Sequence, residues 1–260
     1  MQNSVKEKGL FTVFLTIIFM IGIFTFTACD IDDNLTEDFA DTDTYEAQLD
    51  AAVILIDAGN YQTAKDIIDD LLLIKPGNEY LLELRASCYV GIAGIDSLSA
   101  LEKIDNVDDA GDVDTSDIIS TILGDANGEI TAASVADKLT NLDNALTDLE
   151  SISNPTDDQL SQIALFSAYR IIANITEQFI SVTGTDPVDL TDPNLLDTGW
   201  SDGQIDTIPA ATITEMASDF NNMLNIPSTN PLSDPFNELK DSMTYPISDA
   251  ELTQWLKDLD

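Results

Sequence analysis

Carboxylates are the only groups present in the numbers that site chemistry needs: 36 Asp and 12 Glu stand against ten Lys and Arg, with no histidine. Repeated Asp at close spacing suggests calcium, a hard cation that takes oxygen ligands. The helix-flanked calcium loop needs Asp or Asn at alternating positions before a central Gly, and a closing Glu. In residues 105–117 (DNVDDAGDVDTSD) the register set by Gly111 gives Asn106, Asp108 and Ala110, so a methyl group occupies one ligand position. In the register set by Gly128, Asp125 and Asn127 fit, but Leu123 and Ser134 hold the first and last ligand positions. Calcium is possible at these loops, yet the spacing argues against it, and no cofactor is expected. The absence of histidine removes the commonest metal ligand and every Ser-His-Asp or Cys-His arrangement. No Gly-rich phosphate loop, paired-cysteine metal site or dinucleotide fingerprint occurs. Two carboxylates can hydrolyse glycosides, but among so many acids closeness alone is uninformative. The chain is not read as an enzyme, and no catalytic residue is assigned.

Cys29 and Cys88 are the only cysteines. Lys6 and Lys8 precede an apolar run from Leu10 to Cys29, the pattern of an export signal. Phe26-Thr27-Ala28-Cys29 resembles a bacterial lipobox, which implies cleavage after residue 28 and acylation of Cys29. An uncleaved anchor is the competing reading, since the run is just long enough to span a bilayer. Either way the remainder is expected in the bacterial cell envelope, attached to a membrane and facing the periplasm or exterior. Acylation of Cys29 leaves Cys88 without a partner; between Ala86 and Tyr89 on a helix it reads as a small buried residue.

Loss of residues 1–28 removes two Lys and one Glu, leaving 47 acids, eight bases and a net charge of −39. Nucleic acid and anionic headgroups repel such a chain, so a nucleic-acid function is excluded. Residues 29–44 are acidic and lack apolar periodicity, as expected of a solvated tether.

From residue 45 to 260 the pattern is that of one all-α domain of antiparallel helical hairpins. Leu49, Val53 and Ile56 repeat at helical spacing before Gly59-Asn60-Tyr61, and Ala64, Ile67, Ile68, Leu71 and Leu72 repeat before Pro76. Residues 45–94 resemble a tetratricopeptide repeat, a 34-residue helix-turn-helix unit. Ala64 stands at the small crossing position, Pro76 at the terminating proline, and Ala86 and Tyr89 repeat the small and aromatic positions. Gln48, Ala51, Ala52 and Leu55 depart from the usual first-helix residues, and the register fails beyond Gly94. Further along, Val135, Leu139, Leu142, Leu146 and Leu149 form a stripe. Thr156 and Gln159 make a capping box for a helix running to about Val182, apolar enough to be central. A long loop, 184–208, carries Trp200. Helices are expected over 210–224 and after the box at Ser248 and Glu251.

The resemblance implies stacked hairpins with a concave face for a partner. The leading expectation is a membrane-anchored, non-enzymatic scaffold or assembly factor that binds another envelope protein with a basic or apolar surface. Lys75, Arg85, Lys103 and Arg170 are the candidate groove bases, each with an ion pair to a nearby acid as its competing role. Trp200 is the candidate platform, or a pin for its loop. The alternative function is a ligand-binding accessory component of a TRAP-type transport system, with a pocket near Trp200 and Phe166.

Overall fold

The computed structural model describes residues 44–95, 122–124, 129–184, 186–188, 205–225 and 247–258. Cys29, Lys103, Trp200, the tether up to residue 43 and the loop 105–117 lie outside them. The described residues form seven helices: α1 (Tyr45–Asp57), α2 (Tyr61–Ile74), α3 (Glu79–Ile92), α4 (Ala132–Glu150), α5 (Asp157–Thr183), α6 (Ala210–Leu224) and α7 (Asp249–Asp258). The expected all-α architecture is therefore observed. Among the described residues the only pairing of extended backbone is a single bridge between Ile130 and Val188.

Local chemistry sets the boundaries. The Thr44 hydroxyl accepts the Ala47 N–H to open α1. Gly59, at φ 75°, closes it, with the Gly59 and Asn60 N–H groups bonded back to the Ile56 and Leu55 carbonyls. A second left-handed glycine, Gly77, turns the chain into α3, where the Asn78 side chain accepts the Leu81 N–H. Thr131 with Ser134, Thr156 with Gln159, and Ser248 with Glu251 form reciprocal caps at the starts of α4, α5 and α7. Each cap satisfies backbone donors that the helix itself leaves free.

Packing follows chain order: α1 on α2, α2 on α3, α3 on α4, α4 on α5, α5 on α6, and α6 on α7. The α4 stripe is buried along its whole length, and α5 lies between α4 and α6 with most of its surface covered. Leu252 and Leu256 anchor α7. The core has two parts. A small one holds Ala52, Ala64, Ile68, Leu71, Leu81 and Cys88; a large one begins at Leu82, Ala86 and Val90 and continues through α4 to α7. Helix α3 thus faces a core on each side.

Ala64 and Ala86 are fully buried, small enough for close approach of the paired helices. Gly91 marks an even tighter contact: a Cβ there would sit 2.4–2.5 Å from the Tyr61 ring. A Gly91→Ala change gains helix propensity of about 1 kcal/mol but must displace the ring. The expected net loss is about 1–2 kcal/mol, measured by urea denaturation. In a Tyr61→Ala background the same change should become neutral or stabilising.

Candidate functional site

The first polar node is built around Arg85 on the middle of α3. Its Nε and Nη2 donate to both oxygens of Asp148 on α4 at 2.7 and 2.6 Å. Its Nη1 donates to Asp69 on α2 at 2.9 Å, and Lys65 donates to the same carboxylate at 2.7 Å. The bidentate fork matches the planar guanidinium to the carboxylate. The hydrogen bonds it donates to Asp148 raise the Arg85 pKa above its ordinary value. Burial pushes the Asp69 carboxyl upward, but the bonds from Lys65 and Arg85 outweigh it and hold the group below the usual range. Two further ties fix α3. Glu83 accepts from the side-chain amides of Gln159 and Gln162 on α5, and Lys138 on α4 donates to the Ala93 carbonyl at 2.6 Å. That last bond places a cation at the negative end of α3.

The second node is more deeply buried. Arg170 on α5, 9% exposed, donates to both oxygens of Asp219 on α6 at 2.8 and 2.7 Å. Its Nη1 also meets Asp143 on α4 at 2.9 Å and Glu215 on α6 at 3.2 Å. One guanidinium is shared by three carboxylates from two helices. Burial pushes the Asp219 carboxyl up to about 7, against the opposing pull of Arg170. Burial raises Glu215 as well, with Arg170 lowering it and Asp143 adding repulsion. Cys88 is fully buried, and desolvation pushes its thiol up to about 11, the opposite of what a nucleophile needs.

Of the candidate bases, the three among the described residues, Lys75, Arg85 and Arg170, are therefore not gathered in one groove. Arg85 and Arg170 occupy separate nodes, each satisfied by carboxylates of the chain itself. Lys75, in the turn after α2, lies over the Tyr45 ring with its ammonium 3.6 Å from the ring centre. Phe166, the residue expected beside a ligand pocket, is 6% exposed and part of the large core. Among the described residues no group of three or more His, Cys, Asp or Glu is arranged to hold a metal ion.

A different feature emerges from the surface. The large apolar side chains exposed among the described residues are Ile54, Leu73, Ile74 and Tyr80, at 58%, 80%, 63% and 49%. All fall in α1 to α3. The signal of Ile54, Leu73 and Ile74 in the sequence is the pair of unbroken apolar runs, Ala51–Ile56 and Leu71–Ile74. A helix has one core-facing stripe, so a run of four or more must turn some members outward. Helical spacing accounts for Leu49, Ile56, Leu71 and Leu72, which join the cores, but not for Val53, which joins neither. Comparison with protein-family models, curated proteins and solved structures gives no match.

Two outcomes are expected from the polar nodes. Replacing Arg85 by Met leaves Asp148, with 6% of its side chain exposed, buried and unpaired; the expected cost is about 3 kcal/mol in urea denaturation, largely recovered by adding Asp148→Leu. Arg85→Lys should not recover it, because an ammonium cannot reproduce the fork. The pH dependence has opposing parts. Asp219 binds its proton more tightly in the fold, so its contribution is complete below 3.8 and is lost as pH rises through about 7. Asp69 acts in reverse, its contribution present above 3.8 and lost as pH falls below it. Thermal stability should therefore peak in mild acid and decline toward neutrality, and Asp219→Asn should flatten that decline.

Proposed function

We propose that the protein is a lipoprotein of the bacterial envelope, anchored through Cys29, that serves as a non-enzymatic scaffold for another envelope protein through its TPR-like helices. The observation that carries this reading is the outer face of α1. Only Ala52 of this thirteen-residue helix is buried, although the helix is apolar around much of its circumference. Ile54 projects into solvent, and Glu46, Asp50 and Asp57 are exposed along the helix on either side of it. An apolar centre framed by acids complements a helix or strand that offers an apolar residue between basic ones.

The position of α1 supports the same reading. In stacked hairpins the terminal helix has a covered inner side and an outer side open to a neighbour. Here the inner side meets α2, while Val53 and Ile54 face outward without joining the small core. The partner proposed is basic because the bases seen in the fold are engaged within the chain itself, leaving a surface of one sign.

A photo-crosslinker at position 54 of the full chain, expressed in its own host, tests this. The expected result is one stoichiometric envelope protein, captured less efficiently as salt rises and lost with Asp50→Lys/Asp57→Lys. Crosslinks scattered over many proteins, or insensitive to both changes, overturn the scaffold. Recovery of transporter subunits instead would favour the ligand-binding accessory role.

A further inference from the structure

The remaining exposed apolar residues have a separate location. Helices α1 and α2 are antiparallel, so the start of α1 and the end of α2 meet at one end of the hairpin, as the Lys75 contact with Tyr45 records. Tyr80 opens α3 directly after the turn at that same end. Leu73, Ile74 and Tyr80 are therefore grouped with Tyr45 and Lys75, whereas Ile54 and Gln62 lie toward the other end of α2, ~20 Å away along a helix of fourteen residues. The composition of this end is that of an interfacial surface: two aliphatic side chains, two tyrosines that pair an apolar ring with a hydroxyl, and a lysine whose ammonium lies over one of those rings.

We propose that this end of the hairpin, Leu73, Ile74 and Tyr80 with Tyr45 and Lys75, docks onto the headgroup–acyl boundary of the membrane that holds the lipid anchor. The inference rests on the anchored reading given above. Its argument is where the preceding chain attaches. Tyr45 is the first residue of α1, and fifteen residues separate it from Cys29. Even fully extended they reach only ~55 Å. The end of the hairpin that carries the apolar group is thus the end tied to the bilayer. So small a group would partition weakly from bulk solution, but a lipid anchor makes the contact effectively intramolecular. Glu46 and Glu79 are exposed beside it, which directs it to zwitterionic rather than anionic lipid. Docked this way, the hairpin holds the Ile54 face of α1 clear of the membrane at the other end.

The test uses the full chain, purified after lipidation and reconstituted in phosphatidylcholine vesicles containing lipid brominated on its acyl chains. A polarity-sensitive maleimide is attached at E79C, beside the docking group, and in a second protein at Q62C, at the far end of α2. Neither native cysteine competes, because Cys29 is acylated and Cys88 is fully buried. The expected result is a blue-shifted, bromine-quenched label at position 79, an aqueous label at 62, and loss of both effects at 79 in L73E/I74E. Leu73 and Ile74 are exposed, so the double variant should keep its helicity, checked by circular dichroism. A label at 79 that stays aqueous on lipidated, vesicle-bound protein overturns the inference and leaves the anchor intact. The same holds if that label is shielded only in host membranes, which would assign this end to a protein partner. An N-terminal mass without lipid overturns the anchored reading and this inference with it.

Discussion

Helix α3 must satisfy two cores at once, and the rest of the fold depends on how it does so. A surface helix has one apolar stripe and a solvated back. Helix α3 has Leu81 and Cys88 directed to the α1–α2 hairpin, and Leu82, Ala86 and Val90 directed to the larger core. Burial on both sides leaves few positions for polar residues, and two of those present become ties. Arg85 joins α2 to α4 through Asp69 and Asp148, and Glu83 reaches the first turns of α5. Remove α3 and the hairpin has little left to hold it, because the main contacts of α1 and α2 run along the chain, to each other and to α3.

The use of charge has the same economy. Lys65, Arg85, Arg170 and Lys257 each pair with a carboxylate, Lys75 covers an aromatic ring and Lys138 caps a helix. Among the described residues, Arg85, Lys138, Arg170 and Lys257 each fix one element against another. The outside is left to Asp and Glu, which keeps the surface hydrated and repels like-charged molecules. Arg170 shows the limit of the arrangement. One guanidinium set among three carboxylates cannot compensate all of them, and a carboxyl group as buried as Asp219 holds its proton toward neutral pH.

Much of the helical frame was legible from particular residues. The stripe from Val135 to Leu149, the Thr156–Gln159 and Ser248–Glu251 caps, the Gly59 turn and the bounds of α6 all follow from local rules, and the structure places them as expected. Local rules did not reveal the second face of α3, since its apolar residues wrap around the helix and give no dominant period. Nor did they assign Arg85 and Arg170. Among so many acids an ion pair was foreseeable, but Asp148 and Asp219 lie 63 and 49 residues away from their partners, separations that no spacing rule spans. Ser134, which stands at the last ligand position of the calcium-loop register set by Gly128, uses its hydroxyl in the fold to complete the Thr131 cap.

The unequal depth of the helices gives the molecule a direction under tension. A pull applied at Tyr45 enters a helix that buries only Ala52. Helix α1 would peel first, then α2, each opening a short segment at modest force. The front would then reach α3, where two cores and the Arg85 fork resist together. Beyond it α5 is covered from both sides. The chain therefore behaves as an extensible leader joined to a stiff body, with the stress concentrated at one helix rather than spread along its length.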